Sequence, residues 1–256
     1  MNEFELLAEL ERRGLIVGVE HDAAEIDGLV VTQDTLVEGV HFRFDLLDWR
    51  ELGFRAAAVN ISDLSASGAE PVALLVTLAA PSLEGAIAFY EGIAEAGVPV
   101  RGGDTTKADS VVVTVTALGR AERNPGRAGA RPGDLLVVTG PLGGAGAAFR
   151  EGRLSRPPIR TPEGCALAAV AHAMLDISDG LGADAGHIAR RSGCSLVIDL
   201  DRVPLAAGAT LDDLSFGEDY ELLAATPDPL DFPVIGRCEE GSGVEPAGLG
   251  GWEHFR

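Results

Sequence analysis

The apolar positions of the chain change period several times, and those changes predict alternating helices and strands. Within residues 1–14, Phe4, Leu6, Leu7 and Leu10 fall on one side of a helix that Gly14 ends. Residues 28–33 are a short β-branched run, which predicts a strand. Asp48 and Glu51 have capping-box spacing before a helix through Ala56, Val59 and Leu64, stopped by Gly68 and Pro71. Residues 72–79 are continuously apolar and read as a buried strand, after which Ser82 caps a helix ending near Gly97. Residues 110–118, rich in Val and Thr, predict another strand.

Residues 124–134 carry Pro125, Gly126, Gly129, Pro132 and Gly133 and read as a loop between domains. The boundary gives an N-terminal domain over residues 1–131 and a C-terminal domain over 132–256. In the second half, strands are predicted at 135–139, 195–200 and 221–226. A glycine-rich turn at 140–146 precedes a helix, Thr161-Pro162 opens another, and residues 179–192 form a third that Gly193 ends. Strands alternating with helices in both halves predict an α/β (α+β) fold.

Composition narrows the chemistry. Asp and Glu total 40 against 20 Lys and Arg, a net charge of −20. Such a surface repels nucleic acid and anionic lipid, so neither is expected as a partner. Lys107 is the single lysine, and no Gly-x-x-x-x-Gly-Lys-Ser/Thr occurs, which excludes a P-loop. A polyphosphate bound here would need divalent ions held by carboxylates. Cys165, Cys194 and Cys238 are widely spaced and read as reduced thiols. No secretory leader or membrane span is predicted, so the expected compartment is the cytoplasm.

Aspartates in small-residue settings dominate the candidate chemistry: Asp22, Asp34, Asp63, Asp104, Asp176 and Asp179. Taken singly, Asp22, Asp34 and Asp104 are ordinary turn residues, and Asp179 is an N-cap. Asp63 is harder to dismiss, because it shares a helical face with Asn60 and Ser67, either a solvated face or a polar site. Gly102-Gly103-Asp104-Thr105-Thr106-Lys107 reads as a glycine-rich turn whose N–H groups can approach phosphate. Gly140-Pro141-Leu142-Gly143-Gly144 precedes a helix but reads as mostly structural. On pattern alone, Gly217-Glu218-Asp219-Tyr220-Glu221 is a solvated turn and His41 a packing histidine. No zinc spacing and no Gly-x-Ser-x-Gly elbow is present.

Six segments run in order along the chain: residues 32–42 (Thr-Gln-Asp-Thr-Leu-Val-Glu-Gly-Val-His-Phe), 58–64 (Ala-Val-Asn-Ile-Ser-Asp-Leu), 102–106, 176–181 (Asp-Ile-Ser-Asp-Gly-Leu), 217–222, and the closing Gly251-Trp252-Glu253-His254-Phe255. Together they resemble the motifs of bacterial thiamine-monophosphate kinases. The resemblance implies the aminoimidazole-ribonucleotide-synthetase-like superfamily. Its subunits have an N-terminal domain that dimerises and binds ATP, followed by a C-terminal α/β domain. It implies several Mg²⁺ ions on Asp22, Asp34, Asp63, Asp104 and Asp176, a further ion on Asp179, and ligands at Thr32 and the Gln33 backbone. Asp34, Asp63 and Asp104 are the implied catalytic residues. ATP contacts fall on Tyr90, Gly103, Asp104, Arg127 and Ser178, and thiamine monophosphate contacts on His41, Glu218 and Trp252. The chain departs from the family at His21, where an acidic residue is usual, at Gln33 for Thr, and at Lys107 for Arg. The competing expectations are another ATP-dependent member of the superfamily, such as a purine-pathway or selenophosphate synthetase, and a non-catalytic nucleotide-binding scaffold.

Overall fold

A computed structural model describes residues 3–17 and 21–252. Helix α1 (Glu3–Arg12) is followed by the hairpin of β1 (Ala24–Ile26) and β2 (Leu29–Val37). Its turn is Asp27-Gly28, both at positive φ, the pair best suited to a two-residue hairpin turn. Helix α2 (Trp49–Ala66) begins where the capping spacing predicts: the Asp48 carboxylate accepts the Glu51 N–H at 2.9 Å. Then come β3 (Ala69–Ala80), α3 (Ala86–Glu95), β4 (Val100–Lys107) and β5 (Val112–Ala121). The five strands form one sheet in the order β1-β2-β5-β3-β4, antiparallel except for the parallel pair β3–β4.

The second half holds β6 (Leu135–Val138), α4 (Gly144–Arg150), α5 (Thr161–Val170), β7 (Ala173–Asp176), α6 (Leu181–Ser192) and β8 (Ser195–Ile198). Two 3₁₀ turns follow, Leu200–Arg202 and Leu211–Ser215, and then β9 (Leu222–Thr226), β10 (Val234–Glu239) and β11 (Gly243–Glu245). The sheet order is β11-β8-β10-β6-β9-β7, antiparallel except for β11–β8. The mixed α/β class is as the alternation predicts.

Three local expectations are corrected. Residues 72–79 are not buried on both faces: Leu74, Val76 and Leu78 are buried, whereas Val72 and Leu75 are 46% and 40% exposed. Ser82 does not cap α3, which starts after Gly85 with no side-chain cap. Residues 102–107 are not a turn but most of strand β4, at the sheet edge, with every residue exposed. Gly103 is needed there for close approach, because a Cβ would meet the Val76 carbonyl oxygen at 1.8 Å.

Helix α2 is the joint of the molecule. Fourteen of its residues are buried. It packs on β2, β3 and β5, on α3 and α5, and on β7 and β9 of the other sheet. Gly53 and Gly92 allow α2 and α3 to touch, since a Cβ on either would lie 1.9 Å from the opposing backbone oxygen. One apolar cluster lies between the first sheet and α2 and α3, including Leu52, Ile61, Phe89 and Ile93. A second includes Leu136, Leu175, Ile188 and Leu223, and a third joins Ala66 of α2 to Leu167 of α5 and Leu222 of β9. Each such fully buried Leu or Ile contributes about 1.5–3 kcal/mol.

Candidate active site

Four aspartates converge where α2 meets the ends of strands from both sheets. Asp22 precedes β1, Asp34 lies on β2, Asp63 on α2, and Asp176 is the last residue of β7. Asp22, Asp63 and Asp176 each present a ligand oxygen, and these atoms all lie within 4.8 Å of one another. Neighbouring side chains fix the carboxylates. Thr32 Oγ1 donates to Asp63 Oδ2 at 2.5 Å, and Ser62 Oγ to Asp176 Oδ2 at 2.5 Å. Arg127 Nε donates to Asp22 Oδ1 at 2.8 Å, and its Nη2 reaches the same oxygen. The Asp34 N–H donates to Asn60 Oδ1 at 3.0 Å, tying β2 to α2. The shared face of Asn60, Asp63 and Ser67 is thus a polar site rather than a solvated surface, with Asn60 and Ser67 each 1% exposed.

The electrostatics follow from crowding like charges in a dry place. Burial, then the charges of Asp34, Asp176 and Asp22, push the Asp63 carboxyl well above its usual range, against the Thr32 hydrogen bond. Asp176 is raised to about 7 by burial and by Asp22, with Ser62 opposing. Burial followed by Asp22 and Asp179 raises Asp34, and burial raises Asp22 despite Arg127. Asp22 Oδ2 is buried with no hydrogen-bond donor among the described residues.

The cluster opens into a cavity of about 660 Å³. Twelve residues singled out from the sequence line it: Asp22, Thr32, Gln33, Asp34, His41, Asp63, Arg127, Asp176, Ser178, Asp179, Glu218 and Trp252. His41 Nδ1 accepts the Val37 N–H at 3.0 Å, and the Trp252 N–H donates to Asp179 O at 2.9 Å. Three predicted residues stay outside this lining. Tyr90 packs against the first core, its ring 5.3 Å from Phe89, and Gly103 and Asp104 are exposed on β4. Glu253, His254 and Phe255 of the closing motif lie outside the described residues.

Residues 217–221 are not a solvated turn. Asp219 is 8% and Glu221 4% exposed. Asp219 accepts the Gly143 and Ala145 N–H groups at 2.6 and 3.2 Å, so the amino end of α4 is filled by the protein's own carboxylate. Glu221 takes Arg160 in two bonds of 2.7 and 2.6 Å and Thr139 Oγ1 at 2.6 Å. Asp179 is not the cap of α6 either. Gly180 holds that position, and Asp184 in the first turn accepts the N–H groups of Asp179 and Gly180, each at 3.0 Å.

Sequence reading missed Ser62, Asp184, His187 and Tyr220, which orient or line the site, and Arg55, whose Nη2 lies 2.6 Å from Glu218 Oε1. Ser62 had a signal, one residue before Asp63 in the short polar stretch that follows residues 56–59 on α2. Arg55 had none, because an arginine in a helix ordinarily faces water.

Comparison with known proteins identifies the family. The families described as AIR synthase related protein, N-terminal domain and C-terminal domain, match residues 20–121 and 131–243. The thiamine-monophosphate kinase of Pyrococcus horikoshii is 34% identical over 271 residues, covering 89% of this chain and 86% of that protein. That of Aquifex aeolicus is 34% identical over 273 residues, covering 89% and 88%. A solved structure of AaThiL complexed with AMPPCP and TMP superposes with a TM-score of 0.90 at 32% identity, covering 99% of this chain and 97% of that one. The hydrogenase maturation protein HypE of E. coli, at 22% identity and a TM-score of 0.70, shares the fold. With two domain matches in order and relatives this similar over most of their length, the chain belongs to the thiamine-monophosphate kinase family.

Proposed function

We infer that this chain transfers the terminal phosphoryl group of ATP to thiamine monophosphate, giving thiamine diphosphate. The observation that carries the reading is the carboxylate cluster built from both sheets at the wall of one cavity, within a chain of this family. The acceptor is a phosphate oxygen, already ionised near neutral pH, so it needs little help from a general base. What it needs is in-line placement against another polyanion.

The donor set suits magnesium. Asp22, Asp63 and Asp176 offer only hard oxygens, and Asp22 Oδ2 has no donor among the described residues. Asp34 and Asp179 line the same cavity, as does Thr32. Bound there, Mg²⁺ supplies neutralisation of phosphate charge. Thr32 and Ser62 hold two of the carboxylates in place. Arg127 and Ser178 are the candidates for ATP contact. Glu218 is suited to hydrogen-bond an aminopyrimidine, Trp252 to stack on a cationic thiazolium, and His41 to line the acceptor.

Gly103 and Asp104 fit this reading in a homodimer, whereas Tyr90 packs against the first core and is given no ATP contact by this geometry. Strand β4 is an edge with all eight residues exposed, beside exposed Val72 and Leu75 on β3, and unpaired edges of this kind are normally covered. Gly103 and Asp104 would then serve the site of the second copy. Three free cysteines fit a reducing cytoplasm, and no helix among the described residues is long and apolar enough to cross a membrane.

The test is purified protein with Mg²⁺, ATP and thiamine monophosphate, resolved by ion-exchange chromatography. Equal amounts of ADP and thiamine diphosphate are expected. Nucleotide binding with neither product would overturn the kinase reading in favour of a scaffold.

A further inference from the structure

Arg55 is 2% exposed, one of the largest fully buried side chains, yet it sits on α2 with a charge to satisfy. Its partners come from two segments of the other half of the chain. Nη1 donates to the Ser155 carbonyl at 3.0 Å, and Nη2 lies 2.6 Å from Glu218 Oε1. Its guanidinium carbon is 5.9 Å from the centre of the Tyr220 ring. Among the described residues its Nε has no hydrogen-bond partner, and Nη2 meets Glu218 as a close ion pair rather than in aligned hydrogen-bond geometry. A charge buried this deeply persists only with a paired countercharge, and the side-chain carboxylate in contact with it is Glu218.

Glu218 is held in an unusual way. It and Tyr220 adopt φ of 60° and 52°, a left-handed backbone that such residues seldom take. The Glu218 N–H donates to Ser178 O at 2.7 Å and the Tyr220 N–H to Ile177 O at 2.9 Å, stapling residues 217–220 to the segment after β7. Glu218 and Tyr220 both line the cavity. The backbone therefore fixes where the Glu218 side chain starts, and Arg55 fixes where it ends.

We propose that Arg55 is a positioning residue for the acceptor: its buried guanidinium grips one oxygen of Glu218 and turns the other toward the acceptor in the cavity. This rests on the reading of Glu218 as an acceptor contact. Arg55 touches neither substrate; it acts through Glu218. Because the guanidinium belongs to α2 and the carboxylate to the 217–220 loop, acceptor recognition is tied to the meeting of the two halves.

The experiment is steady-state kinetics on R55M, E218Q and the double variant, with KM for thiamine monophosphate, KM for ATP and kcat measured separately. R55M and E218Q are each expected to raise the acceptor KM about tenfold or more, the factor that one charge-assisted hydrogen bond represents. KM for ATP and kcat should stay within about twofold, since neither partner is assigned to the nucleotide. In the E218Q background, R55M should add nothing. An unchanged acceptor KM in R55M, full additivity in the double variant, or equal losses in both substrates would each overturn the proposal. Should R55M not fold, R55K keeps the buried charge but must choose between Ser155 and Glu218. An intermediate rise of about threefold is expected of it, and wild-type kinetics in folded R55K would overturn the proposal. If the wild type itself makes no thiamine diphosphate, the function reading has failed, a result distinct from a failure of Arg55 alone.

Discussion

Ser62 Oγ donates to Asp176 Oδ2 at 2.5 Å, joining α2 beside the first sheet to the last residue of β7 in the second. The bond is buried, and it connects the two halves at the point where their carboxylates meet. S62A leaves little empty volume but removes the donor. It should lower stability to urea unfolding by about 1.5–3 kcal/mol, the size of a hydrogen bond to a charged group. Loss of that donor also raises the Asp176 pKa further, so the acid limb of the activity profile should move to higher pH. An unchanged limb and midpoint would show that the contact carries no weight.

Asp63 crowds three other acids without a direct cation of its own. Asparagine keeps its shape and its hydrogen bond to Thr32 and stays neutral at every pH, whereas the folded Asp63 takes on its negative charge only above its raised pKa. D63N should therefore melt higher than wild type at alkaline pH in the absence of metal, by a few degrees for about 1 kcal/mol of relieved repulsion. Its turnover should fall by about a thousandfold or more, as the phosphate charge loses its counterion. Thermal scans with and without Mg²⁺, alongside product assays, check both signs; wild-type turnover in D63N would refute the metal assignment.

The pH dependence of stability follows from the same crowding. Burial first and neighbouring carboxylates second raise Asp176 to about 7 and Asp63 well above its ordinary value. In the unfolded chain both titrate near 3.9. Between those values the folded state binds more protons than the unfolded one, so stability is lost as pH rises. Chelator-treated protein should melt progressively lower from about pH 5 to about pH 8, and Mg²⁺ at a hundred times its dissociation constant should restore about 2.7 kcal/mol. A melting temperature that rises across that range would contradict the assignment.

Asp104 is exposed on β4 and does not line the cavity. If it serves the partner's site, D104N and D63N, each inactive alone, should complement when mixed. A mixed dimer then holds one site with both aspartates intact, and random reassortment gives about a quarter of wild-type activity. A cis role gives none. Size-exclusion chromatography of the mixture confirms that subunits exchange.

Much of this was legible in the chain, for reasons that can be named. The Asp48–Glu51 spacing and Pro162 at the start of α5 are local signals, and they placed both helix starts. Asp63 is visible because it shares a helix face with Asn60 and Ser67 among alanine-rich neighbours, a pattern open to a solvated face or a polar site, and the burial of Asn60 and Ser67 decides for the site. Strand β4 is not legible locally because Gly102-Gly103 carries turn chemistry, whereas Gly103 is required by contact with Val76, about 27 residues earlier on the neighbouring strand. Glu221 and Asp219 looked solvated because their partners, Arg160 and the amino end of α4, lie far off in sequence. Arg55 was hidden for the same reason.

The carboxylate of Asp219 stoppers the amino end of α4, so that berth for an anion is already taken. An arriving polyphosphate meets a wall of acids and must bring its own counterions. ATP stripped of magnesium would be turned away, and an excess of nucleotide over free magnesium should throttle the enzyme rather than feed it.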